Sequence, residues 1–104
     1  MWFNTLESPP LPGLIKEISI EGVSLVITNV DSQIYCFDNR CPHEEFNLSL
    51  GCIKKSFVRC ALHGYEFNLS TGRCSEKEIP ELVTYPVKVK DELIFVQMRE
   101  ANEL

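Results

Sequence analysis

Histidine is scarce in this chain: there are two among 104 residues, and each stands next to a cysteine pattern. No further histidine remains for a Ser-His-Asp hydrolase triad, or for a mononuclear iron held by two histidines and a carboxylate. Gly-rich nucleotide-cradling motifs are missing too, so direct binding of NADH is not indicated. Basic residues are the minority, ten against fifteen acidic, for a net charge of −5. That balance disfavours nucleic acid, whose phosphates need a basic footprint. No apolar run reaches bilayer-spanning length. The start, Met1-Trp2-Phe3-Asn4-Thr5-Leu6-Glu7, has neither the basic region nor the apolar stretch of a secretory signal. A cytoplasmic protein without a membrane partner is expected.

A convincing helical period is also lacking, apart from a turn over residues 76–82. What is present is short β-type runs between turn signals. Residues 14–20 alternate loosely and end at Glu21-Gly22. Residues 23–29 are rich in β-branched side chains, and residues 34–37 follow the polar turn Asp31-Ser32-Gln33. Strands are predicted over 56–59 and 64–67, with a hairpin closed at Ser70-Thr71-Gly72. One long alternating strand is predicted over 83–90, where Pro86 suggests an edge or bulge. A last strand covers 93–98 after Asp91-Glu92. Pro9, Pro10 and Pro12 make the early chain an irregular, extended entry. The expected fold class is all-β, a sandwich or barrel of stacked antiparallel sheets. Length and a 44% hydrophobic content suit one compact core, a single domain over 1–104.

The two histidines lie in two knuckles, Cys41-Pro42-His43 and Cys60-Ala61-Leu62-His63, with sixteen residues between His43 and Cys60. Two thiolates and two imidazoles can hold zinc or an iron–sulfur centre. Zinc knuckles usually separate their ligands by two or more residues, or put both histidines on one helix. The single residue between Cys41 and His43 fits that poorly. The order Cys-x-His … Cys-x-x-His points instead to a Rieske [2Fe–2S] centre, where two histidines replace two cysteines on one iron. Neutral imidazoles remove negative charge from that iron and raise its potential. The candidate ligands are therefore Cys41, His43, Cys60 and His63. Five cysteines are an odd count and cannot all pair as disulfides. Cys36, Cys52 and Cys74 read as small apolar fillers.

The surroundings resemble the Rieske ferredoxin family over residues 12–97. Cys41-Pro42-His43 with Leu48-Ser49-Leu50-Gly51, and Cys60-Ala61-Leu62-His63-Gly64-Tyr65-Glu66-Phe67, are similar to that family's two cluster-binding loops. Leu69-Ser70-Thr71-Gly72 resembles its hairpin turn, Tyr85-Pro86-Val87-Lys88-Val89 its last long strand, and Tyr35-Cys36-Phe37-Asp38-Asn39 the strand entering the first loop. The resemblance implies three stacked sheets with the cluster at one tip. Departures are visible. Ala61 stands where many relatives have Pro, and Glu45 where many have Gly. Phe46 and Leu62 stand where the respiratory relatives carry a disulfide. Tyr65 and Phe67 replace the Ser and Tyr whose hydroxyls bond the cluster sulfurs in those relatives. Such neighbours tune a metal site strongly, so a potential at the low end, roughly −150 mV, is expected.

By this resemblance the chain is an electron carrier and not an enzyme. It would take single electrons from an NAD(P)H-dependent flavoprotein reductase and pass them to a terminal oxygenase, one that hydroxylates aromatic rings. It would act as a monomer, docking transiently at the cluster tip around His43, His63, Glu44, Glu45, Leu62 and Tyr65. Glu66 adds to the acidic side, while Arg40, Arg59 and Arg73 make the face mixed. Two alternatives stay open: a Rieske-like small subunit of a nitrite reductase or similar complex, and a zinc-stabilised interaction module.

Overall fold

The computed structural model describes residues 1–42, 46–62 and 64–98. Alternating side chains on one strand pair explain the layering. In β3 (Val23–Val30) and β4 (Gln33–Asp38), Leu25, Ile27, Ile34 and Cys36 join one buried cluster, whereas Val26 and Phe37 join another. Successive side chains of a strand point to opposite faces, so a strand pair that is apolar on both must be a middle layer. It belongs to a four-stranded sheet, completed by β2 (Ile15–Ile20) and β8 (Thr84–Tyr85) in the order β2-β3-β4-β8. On one side, Ile94 and Val96 of β10 (Leu93–Gln97) close the first cluster. That strand sits between β1 (Trp2–Asn4) and β9 (Val87–Lys90) in a three-stranded sheet. On the other side, Val58 and Phe67 close the second cluster. They come from the sheet β5 (Cys52–Lys54), β6 (Phe57–Arg59) and β7 (Glu66–Asn68). All pairings are antiparallel. The all-β expectation of stacked antiparallel sheets holds.

Turn chemistry sets the registers. Glu21 and Gly22, Asp31 and Ser32, and Asp91 and Glu92 all have positive φ. A two-residue hairpin turn of type I′, which matches strand twist, requires that at both central positions. Asn29 reinforces the second turn by accepting the Ser32 N–H on Oδ1 at 2.9 Å.

Two local expectations are corrected. Residues 83–90 are not one strand. Pro86 has no N–H to give a ladder, and the chain changes sheets there, β8 pairing with β4 and β9 with β10. The early chain is not wholly irregular, because Trp2–Asn4 pairs with β10, Phe3 opposite Val96. Lys88 Nζ lies 4.5 Å from the Trp2 ring centroid and helps hold it. The segment between the knuckles also contains two unforeseen pieces, a 3₁₀ helix at Leu48–Leu50 and strand β5. Among the described residues no helix is long and apolar enough to cross a membrane.

Candidate metal centre

Each knuckle begins where a strand or bridge ends. Cys41 follows Asp38 of β4 by three residues, and Cys60 follows Arg59 at the end of β6. Both cysteines are 1% exposed and belong to the same buried cluster, with Phe37, Leu48, Val58 and Phe67. Their loops close alike. The Cys41 N–H donates to the Phe46 carbonyl at 2.9 Å, and the Cys60 N–H donates to the Tyr65 carbonyl at 2.9 Å. In each loop the span is five residues, an Arg precedes the Cys, and an aromatic residue ends the turn. One step outside, Arg40 bridges Asn47 and Arg59 pairs with Glu66. The two loops are thus near-repeats of one closure, each rooted by a cysteine in the core.

The second loop is tightened by Gly64. Its N–H donates to the Cys60 carbonyl at 3.0 Å, and its φ of +76° is a left-handed conformation that favours glycine. The Arg59 guanidinium lies against it. The first loop returns through the 3₁₀ helix, whose Leu48 is fully buried in the shared cluster. Gly51 then brings the chain onto Arg59, against the root of the second loop. An open groove of about 530 Å³ runs there, lined by Leu50, Cys52, Arg59, Ala61 and Leu62 among others.

Of the residues expected at the site, the structure brings together Cys41 and Cys60. His43 and His63, with Glu44 and Glu45, lie outside the described residues. Among the described residues no two cysteines are joined in a disulfide. Cys36 is buried in the middle sheet, on the face away from the loops, and Cys52 is exposed beside the groove. Cys74 packs against the second cluster and bridges Phe67 through its backbone. Phe46 and Leu62 are half-buried and 40% exposed respectively. Phe67 is wholly buried, and Tyr65 is half-buried.

The donor chemistry fits an iron–sulfur group. Two thiols are sunk in a dry core at the roots of neighbouring, similarly closed loops. Thiolates suit iron–sulfur clusters and imidazoles suit iron. Sequence reasoning missed Asn39, Ser49 and Glu17, which bond around the root of the first loop. Their long sequence separation leaves no local signal.

Comparison with known proteins agrees with this geometry. The family model described as Rieske [2Fe-2S] domain matches residues 1–89. A naphthalene 1,2-dioxygenase system ferredoxin component of Pseudomonas aeruginosa is 27% identical, covering 93% of this chain and 95% of that one. A 3-phenylpropionate/cinnamic acid dioxygenase ferredoxin subunit of Shigella boydii is 35% identical, over 75% of this chain and 76% of that one. Among solved structures, one from the complex of reduced oxygenase and oxidized ferredoxin in carbazole 1,9a-dioxygenase superposes with a TM-score of 0.78. It is 27% identical and covers 85% of this chain and 92% of that one.

Proposed function

The chain belongs to the Rieske [2Fe-2S] domain family, and we propose that it is a one-electron carrier whose single cluster is held by Cys41, His43, Cys60 and His63. The observation that carries this is the matched pair of loops, each rooted by a buried cysteine through the same five-residue closure. The cluster, when bound, supplies reversible one-electron redox chemistry. The chain's own residues do the rest. Cys41 and Cys60 offer thiolates from the core side, and the two histidines follow them in the loops. Phe37, Leu48, Val58 and Phe67 pack below and keep water from the thiolate side.

The similar proteins are named as the ferredoxin component of a naphthalene 1,2-dioxygenase system and the ferredoxin subunit of a 3-phenylpropionate/cinnamic acid dioxygenase, which supports a carrier over a catalyst. The partners in this reading are an NAD(P)H-dependent flavoprotein reductase and a terminal oxygenase acting on aromatic rings. The chain works as one domain over 1–104, as a cytoplasmic monomer. Its docking face centres on His43 and His63 and includes Glu44, Glu45, Leu62 and Tyr65. Leu50, 65% exposed, and Leu62, 40% exposed, flank the groove beside the second loop. With Arg59 exposed between them, the face is mixed apolar and charged. Such a surface suits transient docking, where charge mainly raises the encounter rate.

The test is a reconstituted chain of transfer. With NADPH or NADH and a flavoprotein reductase of a ring-hydroxylating system, the visible spectrum of the oxidised protein should bleach. It should recover when a matching terminal oxygenase and its aromatic substrate are added. Co-purification with a large reductase in fixed ratio, without transfer to any oxygenase, would favour an enzyme subunit instead.

A further inference from the structure

The first loop has a structural problem that the second does not. The second springs from a hairpin, with three residue pairs of β6 and β7 zipped behind it. The first leaves β4 and does not return to a strand of that sheet. One bridge, Arg40 to Asn47, pairs its two limbs. Asn39, two residues before Cys41, takes over the role of the missing strand.

Asn39 is 1% exposed. Its side-chain Nδ2 donates to Glu17 Oε2 at 2.9 Å and to Ser24 Oγ at 3.0 Å. Its Oδ1 accepts the Ser49 N–H at 2.7 Å. Its main chain is used as well. The N–H donates to the Ser24 carbonyl at 3.0 Å, and the carbonyl accepts the Leu48 N–H at 2.8 Å. Ser49 Oγ then donates to the same Glu17 Oε2 at 2.9 Å. One amide therefore ties β2, β3, the start of the first loop and its return limb into a single network. Asn39 is the buried centre of this network, with Ser49 half-buried and Glu17 and Ser24 exposed at its rim; its bonds hold the amide in one orientation, and the carboxylate acceptor strengthens them.

We propose that Asn39, anchored by Glu17 and Ser24, is a positioning residue that clamps the first loop and fixes Cys41 relative to Cys60. This rests on the ligand reading above. The hydrogen bonds of the clamp are made by Glu17, Ser24, Asn39, Leu48 and Ser49. The clamp acts on the loop ends, and so governs how firmly the loop keeps its metal and how uniform the metal's surroundings are. Groups that orient metal ligands in this way affect retention by about ten- to a hundredfold.

The experiment compares Asn39→Ala with Ile94→Ala, which opens the core on the far side of the middle sheet and serves as a control for lost stability. Three quantities are measured on the purified holoprotein: thermal midpoint, rate of iron loss to a chelator, and width of the electron paramagnetic resonance lines after reduction. Asn39→Ala should lose iron about tenfold faster or more than the wild type and show broader lines. Ile94→Ala, at an equal or larger loss of thermal midpoint, should keep wild-type lines and loss rate. If Asn39→Ala does not fold, Glu17→Ala at an exposed position decides. It should hasten iron loss with little change in thermal midpoint. Ser49→Ala should do the same, and Ser49→Thr, which restores the hydroxyl, should recover the wild-type rate. Iron loss that tracks thermal stability alike in all variants, or a wild-type rate in Asn39→Ala and Glu17→Ala, would overturn the clamp and leave the ligand reading intact. A wild-type protein that takes up no iron would overturn both.

Discussion

Gly51 and Arg59 approach so closely that a Cβ on Gly51 would overlap the Arg59 carbonyl oxygen. This contact joins the return limb of the first loop to the strand that ends at Arg59, one residue before Cys60. The Gly51 φ of −88° is open to any residue, so the glycine is required by space and not by strain. Gly51→Ala must push the two loop roots apart. Overpacking of this kind costs about 1–3 kcal/mol. A thermal melt should show the loss, and the visible absorption per mole of protein should fall with it. A variant as stable and as strongly coloured as the wild type would mean that the loop roots can shift freely.

Phe67 offers no hydroxyl and is wholly buried, and Tyr65 occupies the other tuning position. The expected midpoint is therefore near the lower limit for such centres, roughly −150 mV. Tyr65→Ser combined with Phe67→Tyr should move it upward, read by redox titration. A native midpoint above zero would show that other donors act on the sulfurs.

Burial pushes the Cys36 thiol up to about 12, with the Asp38 charge adding to the effect. The neutral thiol is the form the fold accommodates. Below about pH 9 the thiol is protonated in both the folded and the unfolded chain, and its contribution to stability is fully present. Above that the unfolded chain gives up the proton first, so stability falls by about 1.4 kcal/mol per pH unit until the folded thiol also ionises near 12. Urea melts at pH 8 and 10.5 should show a steeper loss for the wild type than for Cys36→Ala. At pH 8, iodoacetamide should label the exposed Cys52 and spare Cys36. Equal slopes for wild type and variant would remove Cys36 from the alkaline response.

Charge reversal of Glu44 and Glu45 to Lys should slow electron transfer to the oxygenase at low salt and leave the visible spectrum intact. The difference should shrink as salt screens the encounter. Stopped-flow transfer at two ionic strengths measures it. Unchanged low-salt kinetics would take both glutamates off the docking face.

The sequence made the long hairpins legible for a physical reason. The β-branched run in residues 23–29 and the turns Glu21-Gly22, Asp31-Ser32-Gln33 and Asp91-Glu92 act over a few neighbours, and the observed strand and the positive φ values at Glu21, Gly22, Asp31, Ser32, Asp91 and Glu92 follow them. The candidate ligands were legible because each cysteine and its histidine sit in one short knuckle. What escaped depends on distant partners. Trp2–Asn4 is a strand only because β10 lies beside it, and Cys52–Lys54 only because β6 does. Residues 83–90 alternate like one strand, yet Pro86 cannot supply a ladder N–H and the two halves pair in different sheets. In the sequence Asn39 is only the last residue of the stretch Tyr35-Cys36-Phe37-Asp38-Asn39 that enters the first loop. Its role emerges only when Glu17, Ser24 and Ser49 converge on it.

The central claim is that Cys41, His43, Cys60 and His63 hold one cluster with both imidazoles on one iron. The most direct test is nitrogen-coupling spectroscopy on reduced protein carrying ¹⁵N-histidine, together with metal and sulfide analysis. With only two histidines in the chain, no other imidazole can confuse the assignment. The account predicts two iron and two labile sulfide per chain and couplings from two histidine nitrogens. It also predicts loss of one coupling or of the cluster in His43→Cys and His63→Cys, and loss of colour in Cys41→Ser and Cys60→Ser. Zinc in place of iron, an iron protein without histidine coupling, or a wild-type spectrum with full iron in any of the four variants would contradict it.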